Sequence, residues 1–283
     1  MIGRLAVVGV GLLGGSTAQA ARARGVAREV IGVARDPGRL DVAVRAGVLD
    51  AVTADLEAGV QGADLVVLAA PVAANERLLP RVWAATAPAA VITDVGSTKT
   101  GIVRLAERLH AERPRGFVGA HPMAGSEQSG YAAARADLFG GATVVVTPTE
   151  ATEPRALKTV VEFWGALGAG RVLTLDPDVH DRLVGAVSHL PHLVACALVA
   201  AVERWEPAAF DLAARGFRDT TRVAAGDPEM WRDIFLANRE AMVAGTRAFA
   251  RALDDLARLI EQGDGPALQA ALARIRERRE RLG

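Results

Sequence analysis

The first two thirds of the chain alternate short, unbroken apolar runs with longer segments of helical character. Short apolar runs bounded by turn residues are typical of strands buried on both faces of a sheet. The predicted strands cover residues 4–8, 29–33, 65–69, 90–94, 116–120, 143–147 and 171–175. The predicted helices between them include residues 12–24, 43–46 and 154–167. This alternation predicts an α/β fold whose parallel sheet is covered by helices on both faces.

The pattern changes after Asp176, and the rest of the chain is predicted to be helical. One segment carries five apolar residues and a threonine at alternating spacings of four and three, which is typical of a helix that packs against another helix. These residues are Met242, Thr246, Phe249, Leu253, Leu256 and Ile260. A Gly-Asp-Gly-Pro break at 263–266 separates this segment from a last helix. We therefore expect an α/β domain over residues 1–175 and an all-helical domain over residues 176–283.

The composition excludes several classes of function. The 283 residues include 33 Lys and Arg against 33 Asp and Glu, so no basic surface for nucleic acid is implied. The longest apolar run, near residues 190–202, is too short to cross a bilayer, and no targeting segment is recognisable. Cys196 is the single cysteine, so there is no disulfide framework. We expect a cytoplasmic protein without nucleic-acid or membrane partners.

The first predicted strand ends in a loop with glycines at three fixed positions, Gly9, Gly11 and Gly14. The first glycine permits a tight turn, the second lets the backbone approach a pyrophosphate, and the third lets the following helix pack on the strand. That helix begins with Leu12 and Leu13, and its N-terminus presents free N–H groups to an anion. The strand before the loop and the helix after it favour a dinucleotide site over an ordinary tight turn. We expect all five residues to contact the cofactor.

The choice between NAD and NADP depends on the end of the second predicted strand. A carboxylate there would bind the ribose 2′-hydroxyl, whereas a guanidinium would bind a 2′-phosphate. This chain has Ala34 followed by Arg35, and Asp36 is better explained as a helix N-cap. We therefore predict a preference for NADP, or the use of both cofactors. Pro71, which ends the third predicted strand, is expected to contact the same cofactor.

Two polar residues follow neighbouring strands at the edge where open α/β sheets bind their ligands. Ser97 follows the strand at 90–94 and could reach the nicotinamide, although a serine that caps the next helix is an equally good explanation. His121 follows the strand at 116–120, in a polar loop that contains glycines. A lone histidine downstream of a dinucleotide site is the expected proton acceptor for a hydride transfer.

The helical part supplies candidates for substrate binding. His189 and His192 lie three apart in an apolar helix and therefore share a face. Either substrate contact or a structural role in the core explains this pair, and no metal is predicted because further ligands are not evident nearby. Asp219 and Arg222 belong to a charged segment, residues 216–222, which is either a surface ion-pair cluster or a clamp for a carboxylate.

Taken together, six segments resemble the prephenate/arogenate dehydrogenase family, the oxidising enzymes of tyrosine biosynthesis. The segments are GVGLLGGS (9–16), DVGSTK (94–99), HPMAGSEQSG (121–130), SHLPH (188–192), GFRDTTRVA (216–224) and PEMW (228–231). They occur in the family's order and span nearly the whole chain, and the third and fifth are the most specific. The resemblance implies a Rossmann-type dinucleotide-binding domain followed by an all-α domain that binds substrate and forms a homodimer.

The resemblance also implies a reaction. The substrate is a cyclohexadienol with a ring carboxylate, either prephenate or arogenate. Hydride leaves C4 for NAD or NADP, the C4 hydroxyl loses its proton, and carbon dioxide departs as the ring becomes aromatic. By this resemblance a neutral His121 accepts the proton, Ser97 orients the histidine and the hydroxyl, and Arg222 holds a substrate carboxylate. The other implied substrate-binding residues are His192, Ser126, Glu127, Asp219, His189 and Trp231.

Two alternatives stay open. A related dehydrogenase of another small acid, such as a β-hydroxy acid or an aminated relative of prephenate, shares the first loop and the helical dimer domain. A nucleotide-sensing protein without catalysis is the second alternative. His121, Ser97 and Arg222 argue against it, because a sensor needs none of them. No single residue distinguishes prephenate from arogenate, and we favour prephenate.

Overall fold

The computed structural model describes residues 1–125 and 128–282. Within these residues, eight strands form one sheet in the order β3-β2-β1-β4-β5-β6-β7-β8. The strands are β1 (Ile2–Val8), β2 (Ala27–Val33), β3 (Ala51–Thr53), β4 (Leu65–Leu68), β5 (Val91–Asp94), β6 (Gly116–Pro122), β7 (Thr143–Thr147) and β8 (Arg171–Thr174). The predicted α/β class is confirmed. Strand β3, with three residues, is too short for an apolar pattern to reveal.

Six of the seven neighbouring strand pairs are parallel, but β6 and β7 are antiparallel. The prediction of a fully parallel sheet is therefore wrong at this pair. A parallel pair needs a long crossover, usually a helix, whereas the described part of the β6–β7 connection contains only a short 3-10 turn at Tyr131–Ala133. The order β3-β2-β1-β4-β5 is that of dinucleotide-binding sheets, in which ligands bind where the strand order reverses, between β1 and β4.

Helices cover both faces of the sheet. They are α1 (Leu12–Ala23), α2 (Asp41–Arg45), α3 (Leu56–Val60), α4 (Val72–Ala85), α5 (Thr100–Glu112) and α6 (Pro154–Ala166). Alternate residues of each strand point to opposite faces. Leu5 and Val7 of β1 therefore pack in the core with α1 and α6, while Ala6 and Val8 pack in the core with α4 and α5. The predicted burial of the sheet on both faces is confirmed.

The remaining elements are helical, as predicted. They are α7 (Pro177–Val184), a π-helical turn (Gly185–His189), α8 (Leu190–Trp205), α9 (Arg215–Thr221), α10 (Pro228–Ala237), α11 (Arg239–Glu261) and α12 (Gly265–Glu280). The chain forms two compact units, Met1–Asn238 and Arg239–Gly283. The first contains the sheet and α1 to α10, and the second contains α11 and α12. The domain boundary between residues 175 and 176 stays a prediction.

The α7 helix, the π-helical turn and α8 form one continuous helix, Pro177–Trp205. In the described chain it is the one helix whose length and composition would allow it to cross a membrane, and 28% of its most apolar window is buried. It is longer than the apolar run counted in the sequence because helix continues on the N-terminal side of that run. His180, His189 and His192 are buried along this helix, so these polar groups face the protein interior.

In the second unit, the predicted break between the last two helices is confirmed. Gly263 adopts a φ of 64°, and the Asp264 carboxylate caps α12 by accepting a hydrogen bond from the Ala267 N–H at 2.9 Å. The apolar seam predicted on α11 is largely uncovered in the single chain, with Leu253 56% and Ile260 65% exposed. Its packing against another helix stays a prediction.

Candidate active site

The glycine loop between β1 and α1 fits a pyrophosphate. Gly9 has a φ of 94°, and a Cβ atom there would lie 2.6 Å from the Ala70 backbone nitrogen. A Cβ on Gly14 would lie 2.1 Å from the Gly9 carbonyl oxygen. The turn at Gly9 and the close approach of the helix at Gly14 are therefore possible only with glycine at these two positions. At Gly11 no described atom lies within 4 Å of such a Cβ, which leaves room for a ligand. The first turn of α1 carries no acidic residue, so its N–H groups suit an anion.

The other predicted cofactor contacts lie beside this loop. Leu12 and Leu13 are the first two residues of α1, and both pack against the core under the sheet. Pro71 is exposed and directly precedes α4, at the carboxyl end of β4. Asn75 holds this turn, because its side chain accepts from the Ala70 N–H at 3.1 Å and donates to the Leu68 carbonyl at 3.2 Å. Both loops therefore lie at the switch point of the sheet.

Arg35 is exposed just beyond the end of β2, where the ribose of a dinucleotide is expected. Asp36 occupies the predicted N-cap position of a 3-10 turn, but its side chain makes no capping hydrogen bond within the described residues. Its carboxylate instead pairs with Arg39 at 3.0 Å. The position of the cap is therefore confirmed, while its predicted side-chain role is wrong.

A buried ion pair joins the ends of two neighbouring strands. The Lys99 ammonium donates to the Asp94 carboxylate and, at 2.9 Å, to the Ala120 carbonyl. Asp94 also accepts from the N–H groups of Gly96 at 2.8 Å and Ala120 at 3.1 Å. These bonds fix the loop after β5 against the residue that precedes His121. The predicted site residues Ser97 and His121 are therefore positioned by one set of contacts.

Ser97 lies in this loop, and its Oγ is buried without a hydrogen-bond partner among the described residues. The alternative that it caps the next helix is not seen, because Lys99 occupies the N-cap position of α5. The first N–H groups of α5, from Lys99 and Thr100, bind the Asp181 carboxylate at 2.7 and 2.9 Å. A buried hydroxyl left unpaired is costly in a folded protein, so Ser97 Oγ is available to a ligand.

His121 lies at the carboxyl end of β6, as predicted, and is 9% exposed. Its Nδ1 is 3.0 Å from Nε2 of His180, and the two rings meet edge to face. Nδ1 of His180 is in turn 2.7 Å from Oδ1 of Asp181. Burial lowers the pKa of His121 well below 6.5, and the neighbouring His180, Lys99 and His189 lower it further. The imidazole is therefore neutral near pH 7 and able to accept a proton.

His189 and His192 are both buried, and both rings contact Trp231, so the prediction that they share a face is confirmed. The His192 ring stacks on Trp231 with centroids 3.5 Å apart. Gly226 permits this stack, since a Cβ there would lie 2.6 Å from Nε1 of Trp231. Nε2 of His189 and Nδ1 of His192 have no partner in the described part of the chain. Neither is thus a fully satisfied core histidine, and each offers a polar atom to a ligand.

The charged segment at 216–222 lies on α9 and the turn after it. Asp219 forms an exposed ion pair with Arg215 at 3.2 Å, which matches the surface-pairing explanation for this residue. Arg222 is exposed at the start of the turn and has interacting neighbours of its own. The predicted substrate contacts Ser126 and Glu127 lie outside the described residues. Among the residues described, no cluster of His, Cys, Asp and Glu suited to a metal is found.

Sequence reasoning missed His180, Asp181 and Asn238. Asn238 Nδ2 donates to the Asp181 backbone carbonyl at 2.7 Å and lies 3.1 Å from Nδ1 of His189. These contacts join residues 57 and 49 positions apart, and His121 and His180 are 59 apart. The one local signal was a His-Asp pair at 180–181, within the first turns of a helix that starts with Asp-Pro at 176–177, and it gives no indication of what the pair contacts.

Comparisons with known proteins match both parts of the chain. A family model described as prephenate dehydrogenase, nucleotide-binding domain, matches residues 17–173, and one described as prephenate dehydrogenase, dimerization domain, matches residues 176–274. The curated prephenate dehydrogenase of Bacillus subtilis is 34% identical over 266 residues, which cover 93% of this chain and 71% of that protein.

Solved structures agree. A prephenate dehydrogenase from Aquifex aeolicus, in complex with hydroxyphenyl propionate and NAD+, has a TM-score of 0.93 at 34% identity and covers 100% of this chain and 99% of its own. The arogenate dehydrogenase of Synechocystis has a TM-score of 0.84 at 33% identity, covering 99% of this chain and 100% of its own. Likeness thus extends over both the α/β and the helical parts.

Proposed function

This chain belongs to the prephenate dehydrogenase family, and we propose that it catalyses the oxidative decarboxylation of prephenate or of its amino counterpart arogenate. The products are 4-hydroxyphenylpyruvate or tyrosine. The observation that supports this most directly is the neutral, buried His121 at the carboxyl end of β6, beside the loop that holds Ser97. An imidazole whose pKa lies below 7 is a proton acceptor at neutral pH.

His121 and Ser97 have different roles in the proposed reaction. His121 accepts the proton of the C4 hydroxyl through Nε2 while Ser97 Oγ orients the same hydroxyl. A bound nicotinamide dinucleotide supplies the acceptor for the hydride that leaves C4. When the ring carboxylate departs as carbon dioxide, its bonding electron pair makes the ring aromatic and leaves a phenolate oxygen. His121 returns its proton to that oxygen, so no net proton is released and the imidazole is neutral again.

Substrate binding falls to the helical part. Arg222 is proposed to bind a substrate carboxylate in two-point geometry. His189 and His192 offer their unpaired ring nitrogens, and Trp231 supplies an apolar wall. The further proposed members of the pocket are Ser126, Glu127 and Asp219. The buried ring nitrogens of His189 and His192, which have no partner among the described residues, support the assignment of these two histidines, since a bound polar ligand would satisfy them.

The cofactor loop supports a nicotinamide dinucleotide, and NAD+ is the one bound in the Aquifex aeolicus structure. We propose that this chain prefers NADP or uses both cofactors. The support is the absence of a carboxylate at Ala34 and the exposed guanidinium of Arg35 beside it. The proposed contacts with the dinucleotide are Gly9, Gly11, Leu12, Leu13, Gly14, Arg35, Pro71 and Ser97.

The assembly is proposed to be a cytoplasmic homodimer with a dinucleotide-binding domain over residues 1–175 and a substrate-binding and dimerisation domain over residues 176–283. The exposed apolar residues of α11 and of the long helix Pro177–Trp205 support a second copy as the partner, because patches of this kind are rare on monomers. Neither a nucleic acid nor a membrane is proposed as a partner.

The proposed function is tested by following the absorbance of the reduced nicotinamide with the purified full-length chain. Prephenate and arogenate are each offered with NAD and with NADP, and a β-hydroxy acid serves as the control substrate. We expect turnover with at least one cyclohexadienol and none with the control. Oxidation of the β-hydroxy acid alone would favour the related-dehydrogenase alternative, and dinucleotide binding without any turnover would favour a nucleotide sensor.

A further inference from the structure

Asp181 lies at the centre of a buried hydrogen-bond network that leads to two histidines. Its carboxylate accepts hydrogen bonds from the N–H groups of Lys99 at 2.7 Å and Thr100 at 2.9 Å, at the start of α5. Burial raises the pKa of Asp181, but these bonds and that from His180 outweigh burial and leave the pKa below its usual value. The group is therefore an ionised carboxylate, which can only accept hydrogen bonds.

The first branch runs through His180 to His121. Because Oδ1 of Asp181 can only accept, Nδ1 of His180 at 2.7 Å must donate. A neutral His180 that donates from Nδ1 has its lone pair on Nε2. That Nε2 is 3.0 Å from Nδ1 of His121, which must carry the proton of this bond. A neutral His121 protonated on Nδ1 has a free lone pair on Nε2.

The second branch runs through Asn238 to His189. The backbone carbonyl of Asp181 can only accept, so the Asn238 atom 2.7 Å away is the amide nitrogen. The second proton of that NH₂ group points to Nδ1 of His189 at 3.1 Å, which must therefore accept. Burial lowers the pKa of His189 to about 4, so the ring is neutral and its single proton is on Nε2. This Nε2 is buried and has no partner among the described residues.

We propose that Asp181, His180 and Asn238 are positioning residues that hold two histidines in opposite tautomers, with His121 as a hydrogen-bond acceptor and His189 as a donor. This inference rests on the proposed function, and it assigns to each histidine ring the substrate atom that it contacts. Nε2 of His121 faces the hydroxyl that loses a proton, and Nε2–H of His189 faces an anionic or carbonyl oxygen of the substrate. As His121 gains a proton on Nε2, the proton on its Nδ1 can shift toward His180, whose positive charge Asp181 stabilises.

Several charged and titratable groups face His121 and take part in its protonation. His180 and Asp181 come from α7, His189 from the π-helical turn, and Lys99 from the loop before α5. The Lys99 ammonium repels a proton on His121, whereas Asp181 acts on it through His180. The network therefore determines which ring nitrogen of the neutral His121 carries the proton. Burial and Lys99 determine how readily His121 binds a second proton.

The tautomers can be measured directly in the full-length protein labelled with ¹⁵N-histidine, without substrate or cofactor. The chain has five histidines, so long-range ¹H–¹⁵N correlation spectra at neutral pH can be assigned by single substitutions. We expect a protonated Nδ1 on His121 and a protonated Nε2 on His189. A protonated Nε2 on His121 would overturn the proposal. Because the spectra require no turnover, failure of the tautomer proposal can be distinguished from failure of the proposed reaction.

Kinetics with matched variants test what the first branch does. His180→Leu removes the acceptor for Nδ1–H of His121, and we expect kcat to fall ten- to a hundredfold with little change in KM. His180→Gln places an amide oxygen near the former Nε2, so part of kcat should return. Asp178→Asn is the control, since Asp178 lies on the same helix but pairs at the surface with Arg104 at 2.9 Å. An unchanged kcat and an unchanged His121 spectrum in His180→Leu would refute the first branch.

The second branch has its own variant. Asn238→Ala removes the group that directs Nδ1 of His189, and it should raise the KM for the cyclohexadienol severalfold while kcat changes little. The His189 spectrum should then show both tautomers. If His189 keeps a single protonated Nε2 and KM is unchanged, Asn238 has no such role. This test also covers the case in which His180→Leu fails to fold.

Discussion

Lys99 and Asp94 form an ion pair in which both side chains are almost fully excluded from solvent, 0% and 1% exposed. The pair bridges β5 and β6, because Lys99 also donates to the Ala120 carbonyl and Asp94 accepts from the Ala120 N–H. Burial lowers the pKa of Lys99, and the Asp94 carboxylate opposes that shift. The relative position of Ser97 and His121 therefore depends on two charges that have each lost their hydration.

Replacing Lys99 with Met should destabilise the fold strongly. Removing one member of a buried ion pair leaves the other charge uncompensated, which typically costs about 3–5 kcal/mol. Denaturant unfolding of the wild type and of Lys99→Met measures this cost. Arg104→Met is the matched control, because it breaks the exposed pair with Asp178 and should cost at most about 1 kcal/mol. Equal costs for the two variants would show that the buried pair does not hold the strand ends together.

Replacing His121 with Asn should lower kcat and leave cofactor affinity nearly intact. The amide cannot take a proton from the hydroxyl, and general acid–base groups typically contribute about 10²–10⁴-fold. Steady-state kinetics and dinucleotide titration separate the two effects. His110→Asn is the control, since His110 lies near the end of α5 and bonds to the backbone of Arg115, away from the proposed machinery. A loss of turnover below about tenfold would remove His121 from the role of proton acceptor.

Local features of the site could be predicted from the sequence. The glycine loop, its strand and its helix depend on residues close together in the sequence, so the predicted tight turn at Gly9 and the predicted close helix packing at Gly14 are confirmed. The position of His121 at the end of β6 followed from the order of apolar runs alone. Both predictions needed no knowledge of which distant elements meet.

Contacts between distant elements could not be predicted in this way. His180 meets His121 only because α7 packs beside the carboxyl end of β6, which no pattern near either residue specifies. The predicted direction of β7 was wrong for a similar reason. Apolar runs do not show whether a strand is parallel or antiparallel to its neighbour. The π-helical turn at Gly185–His189, which positions the His189 ring, also left no signal in the spacing of apolar residues.

Stability should fall as the pH falls below 6.5. Burial lowers the pKa of His189 from 6.5 to about 4, so the unfolded chain takes up this proton at a higher pH than the folded chain does. The free energy of unfolding is unaffected by protonation of His189 above pH 6.5, and it decreases as the pH falls from 6.5 toward 4. At about 1.4 kcal/mol per pKa unit this decrease amounts to roughly 3 kcal/mol.

Denaturant unfolding between about pH 7 and pH 5 measures this dependence. His189→Gln has no group that titrates here, so its stability should vary less with pH than that of the wild type. Identical slopes for the wild type and His189→Gln would contradict the assignment.

Replacing Arg35 with Ala should reduce kcat/KM with NADP more than with NAD. A guanidinium binds a 2′-phosphate through paired, charge-assisted hydrogen bonds, each worth about 1.5–3 kcal/mol, and NAD has no such group. The measurement is kcat/KM with each cofactor for the wild type and for the variant. Arg45→Ala, an exposed arginine at the end of α2, is the control. If Arg35→Ala still prefers NADP, another residue binds the 2′-phosphate.

Replacing Arg222 with Gln should raise the KM for the cyclohexadienol and change kcat little. The amide keeps most of the side-chain length but loses the charge and the two-point match to a carboxylate, so binding weakens before and during the reaction alike. Loss of a charged hydrogen bond of this kind costs about 1.5–3 kcal/mol, or roughly a ten- to a hundredfold rise in KM. Arg218→Gln is the control, because Arg218 lies on the preceding helix α9 and donates to the Ala213 carbonyl. If KM is the same in Arg222→Gln as in the wild type, the carboxylate is held elsewhere, and His189 and His192 become the groups to test for that contact.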